Sequence, residues 1–138
     1  MSAFLTPLIV SPYPSTALPD GVNWLLEDDL TYQSSIAGMI TVPKGFITDF
    51  ASTPSLFWTT FPPWGRYGPG SVIHDWLYWM QMFDRHTADC VLYEAMIVCK
   101  TDQVIANLIY DMLRQFGQAA WDGDLKTRTA GLLHVAPV

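Results

Sequence analysis

With only two cysteines, seven lysines and arginines together and three histidines in 138 residues, the chain excludes several kinds of protein before any motif is read. Cys90 and Cys99 fall nine residues apart on one helical stretch, about 13 Å along its axis and on roughly opposite sides, so they cannot bridge within one chain. Neither belongs to a C-x-x-C pair, and the expectation is two small core hydrophobes in a protein made in a reducing cytoplasm. The basic residues stand against 13 Asp and Glu, giving a net charge of −6, which repels an anionic bilayer and offers no footprint for phosphate backbones. Nucleic acid is thereby set aside as a partner. Residues 4–10 are apolar but are interrupted by Pro7 and lack a basic flank, so they do not read as a signal peptide. No apolar run approaches the length of a membrane span, and no transmembrane segment is expected.

What is present is a core. Half of the residues are hydrophobic and 14% are aromatic, enough for one domain over 1–138 that folds without covalent staples. Pro7, Pro12, Pro14 and Pro19 deny regular helix to residues 1–20, which read as an extended arm with one short strand at 8–10, able to pack on a neighbour. Short strands are expected at 24–26 and 30–33 around the acidic turn Glu27-Asp28-Asp29, at 39–42, and at 46–50 after the turn signal Pro43-Lys44-Gly45. Asp49 precedes Ala51-Ser52-Thr53-Pro54, where a carboxylate beside small hydroxyl residues suits a metal or anion site and equally a plain Asx turn. Residues 61–70 are too rich in Pro and Gly for a regular element. They read as a stiff loop whose aromatic residues, with Trp58, wall a pocket or cover the core.

The most informative stretch is 72–96, which reads as two helices joined at a tight corner. Ser71 can cap the first near Val72, with Gly68-Pro69-Gly70 outside it, and His74, Leu77, Tyr78 and Gln81 then share one face. Asp84 or Thr87 can cap the second, in which Asp89, Leu92, Tyr93 and Met96 share a face. A short corner makes the pair antiparallel and lets Asp89 approach His74 or Tyr78. Three residues after the expected cap, His74 lies at the positive end of the helix dipole, which favours a neutral imidazole and an ionised Asp75. Asp89 can then orient His74 as a general base. The same side chains can instead satisfy one another in a buried polar network that joins two helices.

Thr101 or Asp102 can cap a third helix to about Trp121, with Val104, Ile105, Leu108, Ile109, Met112, Leu113 and Phe116 as a wide apolar face. Gly117 loosens its end and Gly123 marks a stop. A tail over 124–138 then carries an apolar run suited to an edge strand, and His134 reads as incidental. The fold class expected is α+β, a small antiparallel sheet or hairpin set from the N-terminal half packed on about three helices from the C-terminal half.

Lys44-Gly45-Phe46-Ile47-Thr48-Asp49-Phe50-Ala51-Ser52-Thr53-Pro54, Phe57-Trp58, the Pro-rich loop, His74-Asp75-x-Leu77-Tyr78 and Arg85-x-x-Ala88-Asp89 together resemble a family known only as a domain of unknown function, number 1353, found largely in tailed phages and prophages. The resemblance implies a phage or prophage origin and assigns no chemistry. His74-Asp75-x-x-Tyr78 followed by Asp89, Leu92 and Met96 is also similar to the two-helix core of bacterial secreted phospholipases A2. That resemblance implies His74 as base for a water, Asp89 as its orienter, Tyr78 as a supporting phenol, and Asp75 with the upstream Asp49 as calcium ligands, since carboxylate oxygens suit a hard cation. This chain departs from that family in having no cysteines that cross-link the helices and no Cys-bearing calcium loop.

Two functions follow from these readings. One is a phage-encoded, metal-assisted hydrolase of an ester or lipid substrate, in which the cation stabilises an oxyanion while His74 activates water. The other is a non-enzymatic virion or tail-assembly component, made in the host cytoplasm, that binds other phage structural proteins.

Overall fold

The computed structural model describes residues 1–13, 23–48 and 68–129, with side chains described for 1–12, 24–48 and 68–126. The N-terminal half forms two antiparallel three-stranded sheets. One has the order β1 (Ala3–Phe4), β4 (Leu30–Ser34) and β5 (Gly38–Val42); the other has β2 (Val10–Tyr13), β3 (Asn23–Leu26) and β6 (Ile47–Thr48). The C-terminal half forms α1 (Gly68–Met80), α2 (Arg85–Val98), α3 (Gln103–Phe116) and α4 (Gln118–Thr129). This is the expected α+β class, with two sheets instead of one and four helices instead of three.

The acidic turn does not join two strands of one sheet. It carries the chain from β3 in the second sheet to β4 in the first. Pairing instead falls to the arm, because Phe4 lies opposite Tyr32 with the rings 4.5 Å apart, and residues 10–13 run along β3 from Leu26 to Asn23. The arm is thus paired with its own chain. Pro12 lies in β2, a strand with β3 on one side, where a missing N–H can be tolerated. The expected strand at 46–50 is described as far as Thr48, and residues 49–67, including Asp49 and most of the Pro-rich loop, lie outside the described residues.

Alternation in β4 buries Leu30, Tyr32 and Ser34, and in β5 it buries Ile40 and Val42. Leu30, Tyr32, Ile40 and Val42, with Leu26 and Phe46, meet Val72, Ile73, Leu77 and Tyr78 of α1 and Ala88, Val91 and Ala95 of α2 in one core. Leu92 and Met96 leave an adjoining side of α2 and pack with Ala106, Ile109 and Leu113 of α3. α2 is therefore buried on two sides. Glu94 ties it to the first sheet, accepting the Tyr32 hydroxyl at 2.7 Å and the Ser35 N–H at 3.1 Å.

Helix ends differ from expectation in instructive ways. α1 already includes Gly68, four residues before the expected start, and Pro69 is tolerated near a helix start because the N–H it lacks has no intrahelical partner there. Gly70 is inside the helix because of α2: a β-carbon there would stand 3.1 Å from Cβ of Ala95 and 3.4 Å from a methyl of Leu92. Asp84 caps α2, accepting the Thr87 N–H at 2.8 Å, and Asp102 caps α3. α2 closes with the Lys100 N–H on the Ile97 carbonyl, the Thr101 N–H on the Met96 carbonyl, and Lys100 at φ 60°, a Schellman motif with lysine where glycine is usual.

The long third helix expected to reach Trp121 is two helices. α3 stops at Phe116, Gly117 turns the chain, and α4 runs through Gly123 to Thr129, so Gly123 is no stop and the start of the expected tail is helical. The remaining apolar run at 130–138 lies outside the described residues. The wide apolar face of α3 is only half used, because Ile109, Met112 and Leu113 are buried while Val104, Leu108 and Phe116 are exposed.

Candidate functional site

The α1–α2 pair is antiparallel, with Gly70 against Ala95 at one end and Tyr78 against Asp89 at the other. That arrangement brings the expected side chains together. Nε2 of His74 is 2.8 Å from Oδ1 of Asp89, and the Tyr78 hydroxyl donates to the same oxygen at 2.7 Å. Oδ2 accepts Nη1 of Arg114 from α3 at 2.7 Å and Nη1 of Arg85 from the first turn of α2 at 3.3 Å. Arg85 is itself held by the Leu113 carbonyl at 2.8 Å and the Arg114 carbonyl at 3.3 Å, so the last turn of α3 is tied to the same point.

Asp89 and His74 are fully buried, whereas the side chains of Arg85 and Arg114 are 14% and 32% exposed, so the network opens to solvent on its arginine side. Burial pushes the Asp89 carboxyl up, but the hydrogen bonds from His74, Tyr78 and Arg114 hold it below the usual carboxylate range. Burial and the bond to the Asp89 carboxylate push the Tyr78 phenol well above its ordinary value. The phenol is therefore a donor throughout the physiological range.

An ionised carboxylate can only accept, so Nε2 of His74 carries the proton that faces Asp89. In the neutral ring this leaves Nδ1 with a lone pair, and Nδ1 is buried with no hydrogen-bond partner among the described residues. Asp89 sets the tautomer. With Gly68 already helical, His74 lies beyond the first turn, so the helix dipole expected to favour its neutral form reaches it weakly.

Asp75 leaves α1 in another direction. It is buried against the second sheet, where the Thr48 hydroxyl donates to Oδ2 at 2.6 Å. Calcium takes about six to eight oxygen ligands, and among the described residues no group of three or more His, Cys, Asp and Glu side chains is placed to hold a metal. Asp49, the second expected ligand, lies outside the described residues.

Arg85 and Arg114 escaped the sequence reading as partners of Asp89. Arg85 was findable, since it stands four residues before Asp89 on one helix, the spacing of a side-chain ion pair. Arg114 comes from α3 and carries no local signal. Neither cysteine is a core residue, although both are free as expected; each is only partly buried.

Two small sheets packed on an antiparallel helix pair, with a histidine, a tyrosine and two arginines converging on one buried aspartate, define an α+β domain built around a polar hub. The chain belongs to the family described as protein of unknown function (DUF1353), whose sequence profile matches residues 24–112. That span runs from β3 to the last turn of α3 and contains the whole His74, Tyr78, Arg85 and Asp89 set. No curated protein and no solved structure matches the chain. Among the described residues no helix is long and apolar enough to cross a membrane.

Proposed function

We propose that the chain is a phage-encoded hydrolase of the ester type, with His74 as general base. The observation that carries this reading is a buried Nδ1 with no hydrogen-bond partner among the described residues, on a histidine whose other nitrogen is fixed by a carboxylate. In the step proposed, Nδ1 takes a proton from water as the water oxygen attacks an ester carbonyl. The imidazolium then returns the proton to the departing alkoxide, and the C–O bond breaks. Asp89 stabilises the imidazolium, and Tyr78 with Arg114 fixes the carboxylate, at the cost of weakening its pull on His74. Calcium is a separate part of the proposal: Asp75 and Asp49 would hold it, and it would supply oxyanion stabilisation.

His74→Gln tests the base, because glutamine retains polar volume but cannot accept and return a proton at neutral pH. Loss of hydrolysis across a panel of short esters and phospholipid vesicles, with the fold retained by circular dichroism, supports it. A panel that wild type does not cleave either would overturn it. A rise in Tm on adding calcium that Asp75→Asn abolishes supports the metal; no rise removes calcium and leaves the base to stand on hydrolysis alone.

A second reading has its own observation. His74 has no exposed surface and Asp89 takes hydrogen bonds from four side chains, which is how a buried network that joins α1, α2 and α3 looks. On this reading the chain is a virion or tail component. His74→Gln then lowers stability by about 1–3 kcal/mol, the cost of a damaged buried hydrogen bond, and no ester is cleaved.

A further inference from the structure

On the far side of α2 from the core with the sheets, a cleft of about 440 Å³ lies between α2, α3 and the β4–β5 turn. Its volume is within the range of small-molecule sites, about 300–1,000 Å³. Ile36, Cys90, Tyr93, Glu94, Asn107 and Tyr110 line it. The two tyrosine rings meet edge to face at 5.7 Å, and the Tyr93 hydroxyl donates to Oδ1 of Asn107 at 2.7 Å. Glu94 is engaged with Tyr32 and Ser35, which turns its carboxylate toward the hairpin. The remaining wall is largely apolar, apart from one thiol.

That thiol does not stand alone. Four residues earlier on α2, Nε2 of His86 is 3.6 Å from Sγ of Cys90, and the Tyr110 hydroxyl is 3.3 Å from the same nitrogen and 3.9 Å from the sulfur. Residues four apart on a helix share a face, so α2 itself sets the pairing while Tyr110 of α3 fixes the imidazole. A thiol beside a base, opening on an apolar cleft, is the arrangement of an activated nucleophile with a place for an acyl chain.

We infer that Cys90 accepts an acyl group from an activated ester or thioester, with His86 as its base and the cleft as its acyl pocket. Nε2 of His86 takes the thiol proton and Sγ attacks the carbonyl carbon. The new C–S bond forms as the bond to the leaving oxygen or sulfur breaks, and the imidazolium gives its proton to the leaving group. The amide N–H groups of Asn107, whose Oδ1 is taken up by Tyr93, are the donors on the cleft wall for the carbonyl oxygen. Nothing in this step uses His74.

The test treats the full chain under native conditions with 4-nitrophenyl acetate, butyrate and octanoate, and follows adducts by intact mass and peptide mapping. The expected result is one acyl adduct on Cys90, formed faster from octanoate than from acetate. Cys90→Ser should abolish it and Cys99→Ser should leave it unchanged. His86→Gln should slow it by about ten-fold, as loss of a general base to an already nucleophilic thiol predicts. His86 is exposed and Cys90 only partly buried, so both variants keep the fold, which circular dichroism checks. Equal labelling of Cys99, labelling only after unfolding, an unchanged rate in His86→Gln, or acetate reacting as fast as octanoate would each overturn the assignment.

Discussion

A β-carbon on Gly117 would stand 2.7 Å from the Tyr78 hydroxyl, the group that donates to Asp89. It would also lie 2.9 Å from Nη1 of Arg85 and 2.5 Å from the Leu113 carbonyl. The missing side chain at Gly117 is therefore what lets the hub close. Gly117→Ala should destabilise the protein by about 1–3 kcal/mol, the usual cost of forcing an atom into a packed site. Gly123 is the control, because a β-carbon there meets nothing within 4 Å. Gly123→Ala should raise stability by about 0.5–1 kcal/mol through helix propensity. Urea unfolding of the two variants reads both, and equal effects would refute the close approach.

Removing the acceptor at the centre should cost more than removing any donor. Asp89→Ala leaves Arg85 and Arg114 without their shared carboxylate and Tyr78 with a buried hydroxyl unpaired, a loss of about 3–5 kcal/mol. Tyr78→Phe removes one donor from a carboxylate that keeps three others, and should cost about 1 kcal/mol. If Asp89→Ala costs no more than Tyr78→Phe in chemical denaturation, Asp89 is not the centre of the network.

Asp89 also predicts the acid limb of the stability curve. Its folded carboxyl binds a proton more weakly than the unfolded chain does, so its contribution is fully present above the unfolded value of about pH 3.9 and is lost as the pH falls through the lower folded value. Tm measured from pH 6 to pH 2 should fall below about pH 4, and Asp89→Asn should make that fall shallower. An Asp89→Asn curve parallel to wild type would show that other carboxylates set the limb.

Lys100 holds a left-handed backbone at the end of α2 that costs a non-glycine residue about 1 kcal/mol. Lys100→Gly should therefore raise Tm, with a stability gain of up to about 1 kcal/mol after the entropy of the freer unfolded chain is subtracted. Lys100→Ala, which keeps a β-carbon, should not. A gain in the alanine variant would point to the lysine charge as the cause.

The helix pair was legible because its signals are local. Asp84 three residues before Thr87, His74 and Tyr78 one turn apart, and Asp89 on the face of Leu92 and Met96 are periodicities that any antiparallel packing of two short-linked helices converts into contact. The strands at β3, β4 and β5 were legible for the same reason, through alternation over a few residues. Their assignment to two sheets was not. Whether the acidic turn closes a hairpin or hands the chain to another sheet depends on which strand edge the arm covers, a partner about ten to thirty residues away.

By itself the sequence determined the α+β class, narrowed the caps to Asp84 or Thr87 and to Thr101 or Asp102, and brought Asp89 toward His74 or Tyr78, all of which rest on spacing along one element or across one short corner. Only the tertiary structure decided what those residues meet next. Arg114 reaches Asp89 from α3, Tyr110 reaches His86 and Cys90 across a cleft, and Gly70 and Gly117 owe their positions to atoms of other helices. A long polar side chain or a glycine carries no periodic mark of its partner. Its place is fixed by shape and charge satisfied after the helices have packed, and that information resides in the assembled core.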